Sequence, residues 1–105
     1  MADFDDLQKT PRQVDWEYLA WIKSLPCLVT GKVGADPHHL SSVGSGGSDY
    51  SAVPLKRKFH NEIEQIGVKE FEVKYKLSVW YSAWSFLLKW YLSEQKNHKQ
   101  AVEEL

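Results

Sequence analysis

Between Pro26 and Leu55 the chain carries five of its six glycines and three of its four prolines. Long regular elements do not survive such a stretch. Glycine costs a helix or strand interior about 0.5–1 kcal/mol, and proline removes a backbone donor. The flanking segments carry helical periodicity, so the expected architecture is α+β, with a small extended element held between helices. A length of 105 residues supports one core rather than two. The expected domain therefore runs over 14–105, behind a polar tail at 1–13.

The helical readings rest on spacing. In VDWEYLAWIKSL, residues 14–25, Trp16, Leu19, Ala20 and Lys23 recur at helical intervals. Asp15 is placed to cap the helix and Pro26 to stop it. Residues 56–67, KRKFHNEIEQIG, set Phe59, Ile63 and Ile66 on one stripe, and Gly67 suits the position just past a helix end. KEFEVKYKL fits helix or strand by pattern alone. Beyond it, Trp80, Trp84, Leu87, Leu88, Tyr91 and Leu92 describe a broad apolar helical face. That face is expected to be core or the seam of a homodimer. Inside the Gly/Pro-rich stretch, CLVT and SAVPL read as two short strands, separated by turns and by the Gly/Ser-rich loop 41–48.

Composition narrows the function classes. Thirteen basic and fourteen acidic residues give a net charge of -1, which excludes a protein that coats nucleic acid by bulk charge. A single cysteine, Cys27, excludes an intrachain disulfide and a four-cysteine zinc site, and fits the cytoplasm. The acidic start is not expected to act as a signal peptide. The apolar run Leu77–Leu92 is too short for a membrane span, so no membrane partner is expected.

Chemistry concentrates in the histidines. His38 and His39 are adjacent on an extended segment, so their side chains point to opposite sides and can take separate tasks. His60 and Glu64, four apart on the predicted helix, project from one face and can grip one cation. One strand histidine with His60 and Glu64 makes a three-ligand site with open positions, the mark of a catalytic rather than a structural metal. The same residues also read as exposed turn histidines and an ordinary i,i+4 pair. His98 stands apart in a polar stretch.

The blocks LAWIKSLPCLVTGKVGADPHHL, DYSAVPLKRKFHNEIEQIG and EFEVKY together resemble the HNH endonucleases, and within them the phage-type branch that includes the phage recombination-enhancement nucleases. The resemblance spans residues 15–76. It implies a ββα-metal core over about 27–67, with a C-terminal helical part over 68–105. It also implies His38 and His60 as metal ligands and His39 as the general base that deprotonates the attacking water. Products would carry 5′-phosphate and 3′-hydroxyl ends.

Three departures qualify this. Glu64 stands where the family has a second helical histidine; its carboxylate favours Mg²⁺ or Mn²⁺, with Zn²⁺ or Ni²⁺ also within reach of the imidazoles. Ser51 occupies the slot of the motif asparagine, with Asp49 beside it to orient the loop or His39. Of the family's zinc-binding cysteines only Cys27 remains; Thr30 and Lys56 fill the other matched positions.

The expected function is metal-dependent, weakly sequence-specific DNA hydrolysis. Lys56, Arg57 and Lys58 are candidates for phosphate contact, although a solvated loop explains them equally. Residues 18–60 hold five basic against two acidic side chains, so the neutral total hides local positive charge. The alternative is a catalytically weak HNH-derived accessory module that binds DNA or protein, with a phage or host protein as partner.

Overall fold

A computed structural model describes residues 13–41 and 47–103, with side chains described through residue 97. Its elements run α1 (Trp16–Ser24), β1 (Asp36–His39), a 3₁₀ turn (Asp49–Ser51), β2 (Ala52–Leu55), α2 (Arg57–Tyr75) and α3 (Val79–Glu103). Among the described residues, three helices around one two-stranded antiparallel sheet make an α+β fold. The expected tail lies outside the described residues up to position 12, as does most of the Gly/Ser loop, at 42–46.

The strand pair is short because its sequence allows little else. Asp36 faces Leu55, Pro37 faces Pro54, His38 faces Val53 and His39 faces Ala52. Neither proline can donate across the ladder, so their pairing is tolerated only at a non-hydrogen-bonded position. The Pro54 carbonyl instead accepts from the Leu28 N–H on the other side of β2. The first predicted strand is misplaced: CLVT is a turn, closed by Gly31 N–H to Cys27 C=O and Cys27 N–H to Lys32 C=O. Its β-type residues pack against the core from that turn, and the strand proper begins at Asp36.

Asp15 caps α1 as expected, its carboxylate accepting from the Tyr18 N–H. The buried face, however, is Tyr18 and Ile22, while Trp16 stays 78% exposed. Helix α2 breaks at Gly67, whose φ of 85° and ψ of 161° lie outside the helical region and are open to glycine. The chain then resumes as helix through Tyr75, which settles KEFEVKYKL as helical. One core cluster joins Val53, Leu55, Ile63, Phe71 and Val79 beneath the strand pair. A second joins Tyr18, Ile22 and Ala52 to the partly buried rings of Trp21, Tyr50, Phe86 and Trp90.

Of the two expectations for the apolar face of α3, core or homodimer seam, burial removes the first. Val79 and Ala83 are its buried residues, with Phe86, Leu87 and Trp90 packed inward beside them. Trp80, Trp84, Leu88, Tyr91 and Leu92 lie on the outside, at 39–56% exposure. Both sides of this helix are apolar, and periodicity alone cannot choose between them. No helix among the described residues is long and apolar enough to cross a membrane.

Candidate metal centre and histidine base

The alternation of β1 separates its two histidines. His38 turns toward α2, where its ring meets that of His60 edge-on at 4.4 Å between centroids. His60 sits in the first turn of α2, its N–H bonded to the Lys56 carbonyl, and Glu64 follows one turn later. One ligand atom from each of His38, His60 and Glu64 comes within 4.8 Å of the others. His38 is buried and the Glu64 side chain is 59% exposed, so the cluster has a protein wall on one side and solvent on the other.

Two features test whether these residues suit a cation. The Nδ1 atoms of His38 and His60 are both buried without a hydrogen-bond partner, a costly state that a bound ion relieves. The distance from His60 Nδ1 to the Glu64 carboxylate, 3.7 Å, is too long for a hydrogen bond. His38 is also held neutral. Burial pushes its pKa down to about 4, with His60 and His39 adding to the effect and Glu64 opposing it. A neutral imidazole is the ligating form. The donor set, two imidazoles and a carboxylate, fits a divalent metal.

His39 faces the other way. Its Nε2 lies 2.8 Å from Oδ1 of Asp49, whose side chain is fully buried. The other oxygen, Oδ2, accepts from the Asp15 N–H at 2.8 Å, and the Asp49 N–H donates to the Gln13 carbonyl. Asp15 in turn accepts from the Tyr50 hydroxyl and the Tyr18 N–H. The entry to α1 thus clamps the carboxylate that orients His39. Asp15 is legible in the sequence as a helix cap; its backbone N–H on Asp49, 34 residues away, is not. With its Nε2–H directed at Asp49, a neutral His39 keeps its lone pair on Nδ1, the atom then free to take a proton.

The remaining predicted residues fall into two groups. Ser51 is buried, donating from Oγ to the Ser48 carbonyl and accepting from the Ser41 N–H. It shapes the loop between the strands, and its hydroxyl is committed to that task. Lys56, Arg57 and Lys58 open α2 within one turn of His60; Arg57 pairs with Asp36 at 3.1 Å, and the Lys58 ammonium sits 5.7 Å from the centre of the Phe59 ring. Cys27, Thr30 and Lys56 also converge. The buried Cys27 sulfur accepts from the Lys56 N–H at 3.4 Å. Burial alone would raise this thiol's pKa, but N–H groups of Lys56, Thr30 and Val29, with the Thr30 side chain, bring it below the ordinary value. His98 lies beyond the described side chains.

Residues 4–89 match the family described as "Protein of unknown function (DUF968)", and the chain belongs to that family. It is 42% identical over 77 residues to the uncharacterized protein YdfU of Escherichia coli (strain K12). The match covers 69% of this chain but only 22% of that relative's length. No solved structure matches.

Proposed function

We propose that this member of the DUF968 family is a metal-dependent endonuclease of HNH type, hydrolysing DNA phosphodiester bonds with low sequence specificity. One observation carries the reading. Adjacent histidines on a strand are divided between a cluster of ligating atoms and a buried carboxylate, which gives the parts of a metal site and of a general base within one short element. The convergence of Cys27, Thr30 and Lys56 supports it, because these are the positions that align with the family's zinc-binding cysteines.

In this reading His39 Nδ1 takes the proton of the attacking water. Asp49 holds the ring in one tautomer and stabilises the imidazolium that forms. His38, His60 and Glu64 would hold a divalent ion, which would supply Lewis acidity for the charge that develops on hydrolysis; Glu64 favours Mg²⁺ or Mn²⁺ over Zn²⁺ or Ni²⁺. Lys56, Arg57 and Lys58, at the α2 N-terminus, contact backbone phosphates, where the helix adds its own partial positive charge. Such contacts position DNA without reading bases, hence the weak sequence preference. We place the activity in the bacterial cytoplasm, where a phage or host protein could direct the cut.

Nicking of supercoiled plasmid tests the proposal. Cleavage is expected with Mn²⁺ or Mg²⁺, is stopped by EDTA and is abolished by His38→Ala. Retained plasmid binding with no nicking under Mg²⁺, Mn²⁺, Zn²⁺ or Ni²⁺ would overturn it in favour of a binding module.

A further inference from the structure

The outer face of α3 is unusual for a lone chain. Trp80, Tyr81, Trp84, Leu88, Tyr91 and Leu92 are each 39–67% exposed and form one continuous row. Lys89, the only charged residue between Val79 and Ser93, lies about a third of a turn from the centre of that row. With aromatic side chains contributing roughly 150–250 Å² each when fully covered, the row offers on the order of 500–600 Å² of apolar surface. That is the upper end of the patches single chains expose. Paired with a second such row it would bury roughly 1,000–1,200 Å², about what a specific interface requires.

We propose that the occupant is a second copy of this chain, joined by antiparallel packing of α3 on α3 about a two-fold axis at Phe86. The argument is self-complementarity. A two-fold interface must match the same patch to itself, so residues pair when they lie equally far from the axis on either side. About position 86 the six residues pair completely: Trp80 with Leu92, Tyr81 with Tyr91, and Trp84 with Leu88. Each tryptophan meets a leucine, which evens out the widths along the seam. Parallel packing would set Trp80 on Trp80 and Trp84 on Trp84 and leave gaps at Leu88 and Leu92. Phe86 itself points inward, its ring centre 6.2 Å from that of Trp21, so nothing bulky obstructs the axis. A groove beside the row, lined by Tyr50, Ser51, Trp80 and Trp84, continues to the turn that carries Asp49.

Sedimentation velocity from about 1 µM to about 300 µM tests the state, and charge substitution tests the register. Wild type is expected to dimerise within this range. Trp84→Glu, on an exposed site that leaves the far-ultraviolet circular dichroism unchanged, should weaken dimerisation roughly a hundredfold or more. Tyr81→Lys and Tyr91→Glu should each weaken it, and the double variant should restore it, because the proposed register sets Lys against Glu twice. A monomeric wild type would overturn the proposal. So would a dimer indifferent to Trp84→Glu, or a double variant weaker than either single one. A monomer whose tryptophan fluorescence is quenched by single-stranded DNA would overturn it in favour of base stacking.

Discussion

Two regions of this small fold place side chains by opposite means. Around β1, polar groups are fixed from several directions: His39 by Asp49, Asp49 by the α1 entry, His38 by the ring of His60. Along the outside of α3, apolar groups face solvent over 39–67% of their surface. The first region spends buried polar contacts on orientation, the hallmark of a site that must hold its geometry. The second leaves apolar area uncovered, which is the ground for the proposed self-association. A change at the first should alter chemistry or the fold, whereas a change at the second should alter association.

The sharpest way to break this contrast lies within α3 itself. Trp90→Ala removes a ring lodged between Tyr18 and Trp21 and should cost about 3 kcal/mol in urea unfolding. Trp84→Ala, on the exposed side, should cost less than about 0.5 kcal/mol in protein dilute enough to be monomeric. Equal losses would mean that the two sides of the helix are misassigned. At the metal cluster, a divalent ion at about a hundred times its Kd should stabilise the wild type by roughly 2.7 kcal/mol. The corresponding rise in Tm should vanish in His60→Ala.

Asp49→Ala should cost about 1–3 kcal/mol, since it leaves the Asp15 N–H and the His39 ring without their acceptor. It should also slow cleavage while leaving the metal-induced rise in Tm intact. The smallest effect concerns pH. His38 folds with its pKa lowered to about 4, so the unfolded chain binds the extra proton first. Metal-free protein should therefore lose stability as pH falls from about 6.5 toward 4, and His38→Gln should flatten that slope. An unchanged slope would show that His38 is not the group responsible.

What the sequence made legible follows the same division. His38, His39, His60 and Glu64 could be placed because strand alternation and i,i+4 spacing are local rules, and the structure brings His38, His60 and Glu64 together. The sequence offers Asp49 as a residue to orient the loop or His39, and its contact with His39 fits that; its second grip, on the Asp15 backbone 34 residues away, follows no local pattern. Ser51 occupied the right slot in the sequence, yet its hydroxyl closes a turn. Periodicity marks the apolar residues of α1 and α3 without choosing which turn inward: Trp16 and Trp84 are as apolar as Tyr18 and Trp90, and only the packed neighbours decide. CLVT had the composition of a strand, but Gly31 closes it into a turn.

In the proposed function His39 performs the chemistry while its neighbour His38 holds metal. Plasmid nicking by His39→Ala at saturating Mn²⁺, on protein whose Mn²⁺-dependent rise in Tm has been confirmed, tests it most directly. The rate should fall roughly 10²–10⁴-fold with the rise in Tm preserved. Nicking at the wild-type rate would contradict it.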